Sequence, residues 1–298
     1  MRIKSIYAAP FLMIVVLALM TLADLLDPAA LGMDGNPYLT LIILQLLVYA
    51  LPAVFFCRLR GRAYTARLRV RLFRISHIFL ILLALAVMIS GCALLNFAMQ
   101  SLFGEDVLTS ASYAGVAESG IYAVLAFCIL PAIAEEFLFR GILLAEYESV
   151  SVPFAVCISS LFFGMLHLNL SRLPAYVFSG IVLALVAYAA RSVLASMLLH
   201  ILHNIAALWT EGYVAKFSDA AGARSVLLVF ILFCVLFLSL ILFFMEAQRI
   251  YQDYGENAVP SPHVRRRKRG EPSGALEAIS VPPFVVFVVI FIVFSLVL

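Results

Sequence analysis

Charge is scarce in this chain. Only 12% of its 298 residues are Asp, Glu, Lys or Arg, against 65% hydrophobic residues and a mean hydropathy of +1.10. A soluble core of this size needs a polar surface that the sequence does not supply, so the composition excludes a water-soluble globule and points to an integral membrane protein. Cysteine is sparse as well. Cys57, Cys92, Cys128, Cys157 and Cys234 are scattered, without CxxC or metal-type spacing, and read as small packing residues rather than disulfides or ligands. The alternating short strands of a membrane barrel are missing, because the apolar runs are continuous. There is no repeat at a fixed period. A signal-peptide cleavage site is also missing. The start Met1-Arg-Ile-Lys4 precedes a long apolar run that ends in Asp24-Leu-Leu-Asp27-Pro28 without a small-x-small site, so it reads as a retained first span.

What the chain does have is a series of apolar stretches, at about 6–26, 38–57, 77–99, 120–145, 153–170, 174–190, 193–211, 225–245 and 281–298. Their lengths suit helices that cross a bilayer, for which about 17–25 residues are needed. The expected fold is an all-α, polytopic membrane helical bundle of about nine transmembrane helices. The organisation expected is an N-terminal set of helices over 1–119, a core over 120–212, and C-terminal helices with a basic linker over 213–298.

The net charge of +3 matters less than its distribution. Segment 58–74 carries seven arginines, and 246–280 carries Arg249 and the run Arg265-Arg-Arg-Lys-Arg269, whereas 24–37 and 100–119 hold only acidic charges. The positive-inside rule then places the N-terminus, 58–74, 146–152, Arg191 and 246–280 in the cytoplasm and the C-terminus outside, with Arg172 and Lys216 as exceptions. The arginines of 58–74 read as a topology signal. The Pro- and Ser-rich 246–280 reads as a flexible tether, and contact of its basic run with anionic membrane lipid is the second reading. Nucleic-acid binding is excluded, since neither basic segment lies in a folded basic domain.

Against this background, three predicted helices carry strongly polar groups. The first has Pro131-Ala-Ile-Ala-Glu135-Glu136-Phe-Leu-Phe-Arg140-Gly141. Glu136 and Arg140, four apart in the favourable order, share a face and neutralise each other. Glu135 points about 100° away, lacks a built-in partner, and is free to exchange protons as a base. Pro131 removes one backbone donor and is expected to kink the helix. The second helix ends in Phe163-Gly-Met-Leu-His167. A turn near Ser151-Val152-Pro153 lies midway between Glu135 and His167, so a helical hairpin sets the two at equal depth, with Gly164 permitting close approach. The third carries His200-Ile-Leu-His203-Asn204, where His200 and Asn204 share one face and His203 lies on its edge. Helix rise puts all of these in one cavity nearer the arginine-rich side than the far side. Any single intramembrane His is often only a hydrogen-bonded packing residue, and His203 carries both readings. Burying the whole set has no fold advantage over apolar packing and marks a site.

In their order, Glu-Glu-x-x-x-Arg, Phe-x-x-x-His and His-x-x-x-Asn resemble the motifs of the CAAX-protease and bacteriocin-processing family of intramembrane proteases, which includes the Rce1-like type II CAAX prenyl endopeptidases. The resemblance covers about 120–212. It implies hydrolysis of a peptide bond in a membrane-associated or lipidated protein or peptide. Glu135 would activate water with help from His167, His200 and Asn204 would stabilise the oxyanion, and Glu136 and Arg140 would support the site. No serine or cysteine stands as a nucleophile, and Ser196 reads as a packing residue. A metal-free mechanism is expected, because Asn204 is a poor zinc ligand. The alternative is a zinc site of Glu135, His167 and His200 with water in the fourth position, although no His-Glu-x-x-His run is present. A non-catalytic immunity or scaffold protein that binds membrane-protein partners is a competing reading. A proton-relaying transporter is another, but lacks the paired half-helices that it requires. The expected location is a bacterial cytoplasmic membrane.

Overall fold

In hydrocarbon, a backbone that pairs within its own segment is the workable solution for continuous apolar runs, so these runs coil. The computed structural model describes residues 5–24, 37–103, 120–218, 223–256 and 274–297, and no strand occurs among them. Each of the nine expected stretches becomes a helix. They are α1 (Ser5–Asp24), α2 (37–60), α3 (Ile78–Phe103), α4 (Ile121–Tyr147), α5 (Val152–Leu166), α6 (Leu173–Ala189), α7 (Val193–Ser218), α8 (Ala223–Glu256) and α9 (Pro282–Val297). Among the described residues α1, α2, α3, α4 and α8 have the length and apolarity of a full crossing. The other four contribute shorter apolar stretches, Val152–Leu166, Leu173–Ala189, Val193–Trp209 and Pro282–Leu296. The 15 residues of α5 rise about 22 Å, short of the ~30 Å hydrocarbon core.

Helix α5 stops early for a local reason. After Leu166 the chain leaves the helix through His167, and Leu168 takes a left-handed conformation with φ 49°. That conformation ends helices but is uncommon for residues other than Gly and Asn. The turn 167–172 is half-buried apart from the exposed Leu170, and non-helical backbone at such a place is tolerated if it lines a cavity. Return helix α6 packs tightly on α5. A Cβ on Gly180 would lie 2.9 Å from Ser160 Cβ, and one on Gly164 would lie 2.7 Å from Val177 Cγ2. The helix that comes close at Gly164 is therefore α6, whereas the sequence reading placed Gly164 in the hairpin with α4.

The arginines of 58–74 do more than signal topology. Arg60 pairs with Glu146 and Arg69 with Glu148, while the Arg67 guanidinium donates to Ala145 O at 3.1 Å. Arg71 Nε donates to Arg191 O at 2.7 Å, the Ser192 hydroxyl donates to Arg71 O, and Val193 N–H donates to Arg69 O at 3.1 Å. The segment thus clamps the end of α4 and the α6–α7 turn on one side of the bundle. Glu146 and Glu148 are buried, so each needs a paired cation at low dielectric.

Parts of the stretch 246–280, expected as a flexible tether, are helical: 246–256 and Gly274–Ile279. Helix α8 continues through Glu246 and Arg249 to Glu256. Glu246 and Arg249 form an i,i+3 ion pair, and Ile250 and Tyr254 turn inward. Tyr254 meets the buried His77 at 3.5 Å, and Arg191 stacks on the Tyr254 ring at 4.2 Å. Inward apolar residues at helical spacing carry the helix past the charges that suggested a linker. The basic run Arg265–Arg269 lies outside the described residues, as do most of the two acidic loops. Helix α9 docks through Phe284 and Phe287 on the Phe162 ring of α5.

Candidate active site

The α4 segment that carries the carboxylates is not a plain α-helix. A π-helical stretch, Val124–Ile129, precedes the α-helical Leu130–Glu136, and a second, Phe137–Leu143, follows it. Wide turns of this kind recur at functional sites. Pro131, which lacks an N–H, sits at the first junction, where the sequence predicts a distortion. Carbonyls that the wide turns release are taken by side chains from other helices. Gln45 of α2 donates to Ala126 O at 3.0 Å, and Asn204 of α7 donates to Cys128 O at 3.5 Å.

Glu136 and Glu135 part company as their spacing predicts. Glu136 is fully buried, and its Oε1 accepts from Arg140 at 2.7 Å. The Arg140 guanidinium also donates to Gly180 O of α6 at 2.9 Å. His200 Nδ1 lies 3.0 Å from the same Glu136 oxygen, a contact that the sequence does not announce. Ser196, one turn before His200, is fully buried, and its hydroxyl donates to Val193 O at 2.9 Å within α7. Glu135 turns instead to the wall of a cavity of about 430 Å³. That is within the range of small-ligand sites.

The same cavity brings together His167, His200, His203 and Asn204. Every catalytic residue expected from the sequence faces it, while the supporting pair Glu136 and Arg140 stands behind its wall. His167 Nδ1 lies 2.8 Å from Phe163 O. A carbonyl only accepts, so Nδ1 carries a proton, and in the neutral ring Nε2 keeps its lone pair. Tyr176 stacks on the His167 ring with centroids 3.9 Å apart. Phe163 anchors the arrangement from one side, with its centroid 4.9 Å from His167, 5.7 Å from His200 and 4.7 Å from the Arg140 guanidinium carbon.

The cavity extends away from the arginine clamp, not toward it. From Glu135 it runs back along α4 to Phe127, forward along α7 to Leu208, forward along α3 from Met88 to Asn96, and to the start of α6 at Arg172. All four directions lead from the ends that the clamp holds. The catalytic groups expected nearer the arginine-rich side thus face a cavity that opens toward the opposite ends of these helices. Helix α5 ends beside this cavity, whose wall includes His167.

Sequence reasoning missed Met88, Cys92 and Asn96 of α3, together with Arg172, Tyr176 and Ser179 of α6, all of which line the cavity. Asn96 and Arg172 were visible as polar groups inside or beside apolar spans. No local pattern tied them to the three motifs. No three His, Cys, Asp or Glu side chains among the described residues gather as a metal-ligand set.

No curated protein and no solved structure matches the chain. A known family does match part of it, over under a third of the chain and across the three helices that bear the motifs. Residues 117–206 match the family described as type II CAAX prenyl endopeptidase Rce1-like, so this membrane protein carries a segment similar to a CAAX-protease-type intramembrane endopeptidase.

Proposed function

We propose that this protein hydrolyses a peptide bond of a membrane-associated or lipidated protein or peptide with a water molecule activated by Glu135. The carboxylate takes a proton from the water, whose oxygen attacks the scissile carbonyl carbon. The free lone pair of His167 Nε2 accepts a hydrogen bond from the same water and orients it. The negative charge on the carbonyl oxygen is met by Asn204 Nδ2 and by His200 Nε2. Collapse of the tetrahedral intermediate breaks the C–N bond, and Glu135 returns its proton to the departing amine. The products are a carboxylic acid and a free amine.

His200 carries a condition. Its Nδ1–H faces Glu136, so a neutral ring has no proton left on Nε2. To donate to the oxyanion the ring must be doubly protonated, with its positive charge facing the Glu136 carboxylate. Glu136 then supports the reaction by holding that charge, as well as by anchoring Arg140.

The observation that carries this reading is one cavity faced by an acid, imidazoles and an amide, with the His167 tautomer set by a carbonyl. Its test is Glu135→Gln in purified protein, assayed with fluorogenic membrane-associated peptides. Loss of cleavage by at least about 10²-fold with unchanged helicity is expected for removal of a general base. Full activity in the variant would overturn the proposal.

A further inference from the structure

The outer half of the cavity is polar in a way that water activation does not require. Arg172 lines it, and among the described residues no carboxylate lies in ion-pair reach of its guanidinium. Arg60, Arg69 and Arg140, by contrast, each pair with a glutamate. Arg172 Nε is buried without a hydrogen-bond partner, as are Asn96 Oδ1 and His203 Nδ1. All three residues face the same space. Leaving such groups unpaired in a buried place is costly, and an acyl chain lying there would satisfy none of them.

Their placement follows from the helix pairing. Cys92 of α3 contacts Ala175 O of α6. The helices run antiparallel, so Asn96, one turn further on, comes level with the turn that holds Arg172. That turn is fixed, because Asn169 Oδ1 accepts from Arg172 N–H at 2.9 Å. Tyr176, one turn after Arg172 on α6, lines the same cavity and stacks on His167. An anion held at Arg172 therefore lies one helical turn from the residue packed on the ring that orients the water.

We propose that Arg172, with Asn96 and His203 beside it, forms a subsite for a carboxylate of the substrate on the leaving side of the scissile bond. A guanidinium pairs with a carboxylate through two parallel hydrogen bonds. The amide of Asn96 donates or accepts according to how it is turned, so it serves either the carboxylate or the adjoining peptide N–H. The carboxylate is a chain terminus or an acidic side chain. This subsite rests on the peptidase reading and adds a specificity determinant to it. Helix α3, which supplies Asn96, lies outside the matched family segment.

The test uses the full-length protein in detergent and two pairs of fluorogenic peptides. One pair ends in a free carboxylate or a carboxamide. The other has a blocked terminus and carries Glu or Gln on the leaving side. Wild type should cleave one carboxylate member over its neutral partner by at least about tenfold in kcat/KM, mostly through KM, as a charge-assisted bidentate contact requires. The pair that shows the preference identifies the source. In Arg172→Gln the ratio should fall to about one, and Arg172→Lys should restore part of it as a point charge. Equal cleavage within both pairs by wild type, or an undiminished ratio in Arg172→Gln, overturns the subsite and leaves the peptidase reading standing. Undiminished cleavage by Glu135→Gln, or no cleavage of any peptide by wild type, overturns both.

Discussion

Glu136 Oε1 stands 3.0 Å from His200 Nδ1, and the same oxygen accepts from Arg140 at 2.7 Å. One oxygen thus joins α4 to α7 and, through the Arg140 contact with Gly180, to α6. The group that the sequence presents as half of a self-contained pair is the junction of three helices. Replacing it removes the counter-charge of a buried guanidinium and the carboxylate that faces His200 Nδ1 together. Glu136→Gln should destabilise the protein by about 3–5 kcal/mol, the cost of breaking a buried pair. It should also lower kcat by more than the stability loss explains. Thermal unfolding in detergent and kcat at a temperature where the variant is folded check both parts. Glu136→Asp, which keeps the charge but shortens the reach, should fall between wild type and Glu136→Gln.

The π-helical turns of α4 depend on donors from outside. Gln45 Nε2 holds Ala126 O at 3.0 Å without facing the cavity. Gln45→Leu leaves that carbonyl unpaired at low dielectric and should cost about 1–3 kcal/mol. Hydrogen exchange of the amides around 126–131 should rise in the variant. A protection pattern equal to wild type would mean that the wide turn holds itself.

Much of this arrangement is legible in the sequence, for identifiable reasons. Among the described residues the nine continuous apolar runs all become helices, because a backbone in hydrocarbon has few other ways to pair. Glu135, His167, His200 and Asn204 stand out because ionisable and amide groups are rare in such runs, and helical spacing turns Glu135 and Glu136 to different neighbours. Contacts that depend on which helices meet were not legible. Asn96 is one polar residue in a long apolar helix until α6 comes alongside it. Arg172 reads as a stray charge in an outer loop until the half-buried turn after Leu166 sets it in the cavity wall. The wide turns of α4 leave no mark in composition beyond Pro131. The charged stretch after 245 looks like a linker until Ile250 and Tyr254 are seen to turn inward.

Metal dependence has a direct test. No three His, Cys, Asp or Glu side chains gather as a ligand set among the described residues, and Asn204, which faces the cavity, is a poor zinc ligand but a good oxyanion donor. Cleavage should therefore proceed at an unchanged rate after exhaustive dialysis against a chelator. Loss of activity that added zinc restores would assign Glu135, His167 and His200 to a metal and remove Glu135 from its role as the base.

Gly180 tests whether the support behind the site is mechanical as well as electrostatic. A Cβ there would sit 2.9 Å from Ser160 Cβ and 3.0 Å from Ser160 Cα, so α5 and α6 must separate to admit it. The Gly180 carbonyl holds the Arg140 guanidinium at 2.9 Å. Separation therefore pulls on the cation that anchors Glu136 and, through it, on His200. Gly180→Ala should cost about 1–3 kcal/mol of stability from overpacking and lower kcat, although residue 180 does not line the cavity. Ser160→Gly in the same chain removes the opposing Cβ and should recover part of both losses. A double-mutant cycle then measures the coupling, which for residues in contact is typically about 0.5–3 kcal/mol. Recovery of stability without recovery of kcat would show that the Gly180 carbonyl contact has no part in placing His200.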